Sequence, residues 1–215
     1  MRLKPPQVPP AAAALFGAAI GPRVLPGTYT VRMTKGDQNY TTKITVALDP
    51  RATYSVEDRR AQFALVNRLG GTLDHMSWVV DAIIGVRDAA ADRADKAKDT
   101  ESLRKRLTDL GDAVDKIRAK IVATKEGGMI TGEERLREYL GGLYGDVNQY
   151  DGRPTEEQIA RSESLSRELD DVFKEFMTLT GQQLPDLNRR LATRKLGIIE
   201  VISEEAWKKA NKQPR

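Results

Sequence analysis

Residues 44–58 read Ile44-Thr45-Val46-Ala47-Leu48-Asp49-Pro50-Arg51-Ala52-Thr53-Tyr54-Ser55-Val56-Glu57-Asp58, and within them the chain changes its period. Upstream, apolar residues alternate. Tyr29, Val31 and Met33 interleave with Thr28, Thr30, Arg32 and Thr34, and Tyr40, Ile44, Val46 and Leu48 resume after Lys35-Gly36-Asp37-Gln38-Asn39. Period two, β-branched residues and a glycine-bearing turn predict a β-hairpin. Asp49-Pro50 ends its second strand, because proline cannot donate to a ladder. Downstream, Ser55-Val56-Glu57-Asp58 has the form of a capping box with Asp in place of Glu, and the period becomes helical.

Val66, Leu69, Leu73, Met76, Val80 and Ile83 are spaced alternately three and four apart. Ala90, Ala94 and Ala97 extend the seam, with Arg87 out of character. This is a coiled-coil-like stripe and predicts a helix over residues 56–97, about 60 Å long. Leu103, Leu107, Leu110, Val114, Ile117 and Ile121 form a second stripe over residues 100–124, stopped by Glu126-Gly127-Gly128. Two such stripes joined by a short polar turn predict an antiparallel pair.

Thr131-Gly132-Glu133-Glu134 predicts a cap for a third helix with Leu136, Tyr139, Leu140, Leu143 and Val147 inward. Thr155-Glu156-Glu157-Gln158 caps a fourth, with Ile159, Leu165, Leu169, Val172, Phe173, Phe176 and Leu179 inward. Pro185 lies inside its continuation through Leu184, Leu187 and Leu191, where a kink is expected, and Gly197 has the place of a C-cap. The fold class is therefore mainly α: an N-terminal β-hairpin followed by a four-helix antiparallel bundle whose first two helices are long. The predicted divisions are 1–23, a Pro/Ala-rich linker or frayed N-terminus; 24–50, the hairpin; 51–197, the bundle; and 198–215, a charged tail.

Composition narrows the chemistry. The 215 residues contain no cysteine and one histidine, which excludes disulfides and thiolate sites and leaves little for a zinc site or a histidine base. The net charge is +4; residues 1–35 carry five basic and no acidic groups, and residues 189–215 eight basic and three acidic. By difference from +4, residues 36–188 stand at about −6. Basic ends suit an anionic surface, but solvated termini are the plainer explanation of them. No apolar run reaches the length of a membrane span. Arg2, Lys4 and the run Ala11–Ile20 outline a signal peptide, but Pro5, Pro6, Pro9 and Pro10 interrupt it.

The constellations that invite chemistry have plainer explanations. Asp74, His75 and Ser77 fall on one predicted helix, where neighbours one to three apart do not align as a triad. Gly70-Gly71 and Gly141-Gly142 lack the lysine and the strand-before-helix context of a phosphate loop, and close helix approach or local flexibility accounts for them. The paired carboxylates Glu133-Glu134, Glu156-Glu157, Asp170-Asp171 and Glu204-Glu205 point apart, and several sit where the macrodipole favours them. Alternating charge over Arg104–Arg118 is a solvated face, not a phosphate-tracking stripe. Trp78 and Trp207 both have the character of partner anchors, and for Trp78, beside the core seam, packing is the plainer explanation. No catalytic, cofactor-binding or metal-ligating residue is assigned.

The phrase Val24-Leu25-Pro26-Gly27-Thr28-Tyr29-Thr30-Val31-Arg32, the hairpin, the Asp49-Pro50-Arg51 exit, the long helices and Leu184-Pro185-Asp186-Leu187-Asn188 together resemble a known module. It is the C-terminal region of large bacterial sortilin-like or neuraminidase-repeat β-propeller proteins, often labelled glycosyl hydrolases. There a small Ig-like sheet ends in such a hairpin and a helical tail follows; the resemblance covers residues 21–195. It implies a non-catalytic structural or interaction module, the tail of a propeller-type parent, acting by helix packing and strand-edge pairing. It also implies an extracytoplasmic setting, and a parent β-propeller, another protein or a second copy of the chain as partner. Any glycosidase carboxylates of the family would lie outside this chain. Two alternatives stand beside this reading: part of a glycosyl hydrolase, or an anionic-surface binder through the basic ends, with nucleic acid not expected.

Overall fold

The computed structural model describes residues 1–11, 16–97, 100–125 and 132–211. A single 3-10 turn, Phe16–Ala19, precedes strands β1 (Gly27–Lys35) and β2 (Gln38–Val46). Helices α1 (Val56–Lys96), α2 (Glu101–Ile121), α3 (Leu136–Gln149), α4 (Glu156–Thr193) and α5 (Glu204–Ala210) follow. The chain is thus mainly helical behind a two-stranded antiparallel hairpin, and α1 is the central helix, with α2, α3 and α4 all packed on it.

The start of α1 follows from its cap. The Ser55 backbone N–H donates to Asp58 Oδ2 at 3.0 Å, and the Asp58 N–H donates to Ser55 Oγ at 3.1 Å, so aspartate closes the box as glutamate would. Asp58 also accepts from Arg153 Nε at 2.9 Å, which ties the box to the approach to α4. The Arg153 hydrogen bond first, then those from Ser55, hold the Asp58 carboxyl down at about 2 from an ordinary 3.8. A depressed carboxyl contributes stability that is present above its unfolded pKa and is lost as pH falls through the folded one. Asp58→Asn is therefore expected to be less stable than the parent at neutral pH, with the gap closing between pH about 4 and about 2. Urea unfolding across that range checks it; a gap that stays constant would remove Asp58 from the acid response.

The long seams pack as their spacing requires. Val66, Leu69, Leu73, Met76, Val80 and Ile83 are buried, and so are all six stripe residues of α2. Arg87 does not interrupt the seam, because Val86, three residues after Ile83, takes the inward position. Arg87 sits beside it and donates to Asp115 of α2 at 3.0 Å.

Helix α3 starts later than its reading, and in both α3 and α4 one residue expected inward is exposed. The third helix begins at Leu136, with the Arg135 N–H donating to Glu138 Oε2 at 3.0 Å; Thr131 and Glu126-Gly127-Gly128 lie outside the described residues. Tyr139 is 43% exposed, under the guanidinium of Arg161 at 5.4 Å, and Tyr144 is the buried aromatic of this helix. Ile159 is likewise 39% exposed. Thr155 and Gln158 do form the expected capping box. Helix α4 continues through Pro185, which sits on its exposed face, where water can serve the carbonyl that the missing N–H leaves. It closes in a Schellman motif: Leu196 N–H donates to Leu191 O and Lys195 N–H to Ala192 O. The left-handed residue that closes the motif is Lys195, at φ 57°; Gly197, two residues on, is also left-handed at φ 75° but is not the cap.

The described segments before the hairpin and after α4 are both packed on the bundle. Residues 1–11 and 16–23, expected as a linker or frayed end, lie against α1 and α3. Leu3 N–H donates to Pro22 O at 2.8 Å, Gln7 N–H to Asp74 Oδ1 at 2.6 Å, and Arg137 Nε to Pro9 O at 2.6 Å. Ile20 O accepts from Tyr144 Oη at 3.0 Å and Asn148 Nδ2 at 2.8 Å. Residues 198–211, expected as a tail, also dock. The Asn188 carboxamide clamps the backbone of Ile199 in both directions, at 2.9 and 2.8 Å, and α5 buries Trp207.

Candidate functional site

The residues that invited a triad are each engaged elsewhere. Asp74 accepts from Gln7, and Ser77 Oγ donates back to Leu73 O at 3.1 Å within its own helix. The His75 ring packs against Trp78 and Phe173, with centroids 5.2 and 5.8 Å away, and its Nδ1 lies 3.7 Å from Glu204 Oε1. Nothing brings a nucleophile, a base and an orienting carboxylate together, and no metal-binding group of three or more His, Cys, Asp or Glu side chains occurs among the described residues. Both tryptophans serve the fold. Trp78 Nε1 donates to Ile202 O at 3.0 Å, and Trp207 Nε1 to Asp81 Oδ2 at 2.6 Å, so Trp207 anchors the chain's own C-terminal segment onto α1. The acidic residues Glu156, Glu157, Glu204 and Glu205 occupy first turns of helices, as the macrodipole favours. Among the described residues no helix is long and apolar enough to cross a membrane.

Among the described residues, the element that packs on no other is the hairpin. Its two-residue turn puts Gly36 at φ 58°, while Asp37 stays at negative φ, which is the type II′ pattern that suits strand twist. Register pairs Tyr29 with Ile44, Val31 with Thr42, Met33 with Tyr40, and Gly27 with Val46. One face therefore carries Tyr29, Val31, Met33, Tyr40, Ile44 and Val46, together with Gly27, Thr42 and, beside the turn, the Lys35–Gln38 pair. The other carries Thr28, Thr30, Arg32, Thr34, Asn39, Thr41, Lys43 and Thr45. The apolar face is open: Met33 is 58% and Tyr40 49% exposed, and no helix of the bundle packs on either strand. Each strand has nine residues and pairs along one edge only, so each presents a further row of unpaired backbone groups.

The ribbon has a firm root. Val24 is buried beside Arg59, whose Nη2 donates to Arg23 O at 3.2 Å. Arg59 also bonds Gln62, which donates from Nε2 to Val147 O at 2.6 Å, and Arg23 pairs with Asp151. Arg59 is 4% exposed, and the Asp151 carboxylate lies 3.9 Å from its Nε. This polar cluster ties the hairpin's base to α1 and to the end of α3. At the exit Arg51 closes onto Asp49 at 2.8 Å and holds that carboxyl below its usual range. Sequence reading found the hairpin but missed Arg59, Gln62 and Asp151, whose only signal was a polar break in a helical pattern.

No protein-family model, no curated protein and no solved structure matches the chain.

Proposed function

We propose that this chain is a non-catalytic interaction module, in which the helical bundle is a rigid mount and the hairpin is the element that docks. The observation that carries the reading is the combination of a well-rooted base with an uncovered apolar face. An isolated two-stranded ribbon is marginal in water, and three strands or a covering layer are needed for independent stability. A partner that adds a strand to either edge and lays an apolar surface over Tyr29, Val31, Met33, Tyr40 and Ile44 would supply both. The Pro26-Gly27-Thr28-Tyr29 phrase and the order of elements support a finer version. In it the hairpin is the last part of an Ig-like sheet, and the chain is the C-terminal part of a sortilin-like or propeller-type parent that works outside the cytoplasm. Any glycosidase activity of such a parent would reside in residues outside this chain.

The test uses the register. Gly27 and Val46 are cross-strand partners, so excising residues 28–45 and joining the ends with a short Gly-Ser bridge leaves the root intact. A second copy can stand in for the partner at high concentration. In sedimentation velocity the full chain is expected to rise above its monomer mass of 23.9 kDa as concentration increases, while the excised form stays monomeric with unchanged helical circular dichroism. Association that survives the excision, or a full chain that stays monomeric throughout, would count against the hairpin as the docking element.

A further inference from the structure

The two faces of the hairpin relate differently to its open edges. A two-residue turn closed by Lys35 and Gln38 makes that pair hydrogen-bonded in both directions, and such pairs then alternate along the ribbon. Tyr29–Ile44, Val31–Thr42 and Met33–Tyr40 fall on the bonded pairs, so the backbone groups of the apolar face are spent inside the hairpin. The groups that point outward belong to the alternate residues, Thr28 to Thr34 on β1 and Asn39 to Thr45 on β2, whose side chains make up the polar face. A strand that docks on either edge therefore bonds the backbone of polar-face residues. Its side chains opposite them join the polar face, and its intervening side chains extend the apolar one.

The polar face sets the chemistry of the incoming residues. Its charged groups are Arg32 and Lys43, both exposed. Arg32 stands across from Thr41 and Lys43 across from Thr30, which makes the two cations diagonal neighbours with backbones about 7–8 Å apart. Among the described residues neither has a carboxylate partner. The remaining pairs on this face are neutral: Thr28 faces Thr45, and Thr34 donates to Asn39 at 2.7 Å. Like charges this close weaken a ribbon that is already marginal alone. A carboxylate on a neighbouring strand removes that cost. A second copy cannot, because its polar face brings two more cations and no acid.

We propose that the hairpin docks an acidic strand, an extended protein segment in which apolar residues alternate with carboxylates. The carboxylates pair with Arg32 or with Lys43, according to the edge taken, and the apolar residues continue the face of Val31, Met33 and Tyr40. This rests on the hairpin being the docking element and adds what that element selects.

The experiment is fluorescence anisotropy of dye-labelled seven-residue peptides titrated with the full chain at pH 7. Three peptides alternate valine with glutamate, with glutamine or with lysine and are otherwise identical, with both ends blocked. The glutamate peptide is expected to bind saturably and at least about tenfold tighter than the lysine peptide, the sum of a cross-strand attraction gained and a repulsion avoided, with the glutamine peptide between them. Raising salt from about 50 to about 500 mM should narrow the gap. The double variant Arg32→Glu, Lys43→Glu changes two exposed residues and should reverse the order of the peptides. The chain with residues 28–45 excised should bind none of them. Equal binding of the three peptides, lost on excision, would overturn the acidic partner and keep the hairpin as the docking element. An unreversed order in the double variant, or no saturable binding of the glutamate peptide, would also overturn it, and sedimentation alone then decides whether the hairpin docks. Binding that survives the excision would overturn both.

Discussion

Leu107→Ala is expected to lower the unfolding free energy by about 3–5 kcal/mol, the range for removing a fully buried leucine side chain from a packed core. Leu107 is 0% exposed and lies in the α2 stripe that faces α1. The cost has two parts. The lost methyl and methylene groups forfeit their transfer free energy, and the cavity they leave relaxes only partly. Relaxation is resisted here because both neighbours along the stripe, Leu103 and Leu110, are themselves buried in long, continuous helices. The control is Ile159→Ala, in the first turn of α4, where 39% exposure leaves less burial to lose and an open side where no cavity can form. That variant should fall within about 1 kcal/mol of the parent. Urea unfolding of the two variants side by side checks the assignment of faces. A Leu107 variant as mild as the Ile159 one would mean that the α1–α2 seam is not the core of the bundle.

Helices α2 and α3 show what periodicity can and cannot recover. Over α2 the spacing of three and four, repeated across 21 residues, leaves only one face that can be buried, and all six predicted residues are inward. Over the 14 residues of α3, two apolar faces compete. Tyr139 fits one and Tyr144 the other, and the choice is made by the N-terminal segment, which covers Tyr144 and bonds its hydroxyl through Ile20 O. That segment left no period to read, because its hold on the bundle runs through backbone carbonyls of Pro9, Ile20 and Pro22, which any sequence possesses. The C-terminal segment is similar: Trp207 looked like an anchor for a partner because its true acceptor, Asp81, lies 126 residues away. The hairpin was legible from its alternation and turn, but alternation says only that one face is apolar. That nothing in the bundle covers this face is a fact of three-dimensional placement.

Gly145→Ala and Gly142→Ala make the same chemical change three residues apart on α3, and they are expected to have opposite effects. At Gly142 a methyl group would meet nothing within 4 Å, so removing an entropic liability from a helix interior should stabilise by about 0.5–1 kcal/mol. At Gly145 the methyl carbon would stand 2.9 Å from Gly17 Cα and 3.6 Å from Gly17 C; reciprocally, a methyl on Gly17 would stand 2.7 Å from Gly145 Cα. These are backbone atoms, so no rotamer relieves the clash and the 3-10 turn Phe16–Ala19 must move off the helix. Overpacking of this kind costs about 1–3 kcal/mol. The movement also carries away Ile20 O, the acceptor for both Tyr144 and Asn148, and losing a buried hydrogen bond adds about 1 kcal/mol or more. A net destabilisation of about 2–3 kcal/mol follows once the helix-propensity gain is set against these terms. Trypsin gives an independent readout, since Arg23 sits at the base of the displaced segment and should be cut faster in Gly145→Ala than in the parent, with Gly142→Ala unchanged. If both variants stabilise alike and are cleaved alike, the N-terminal segment does not lie on α3 and the reading of residues 1–23 returns to a linker.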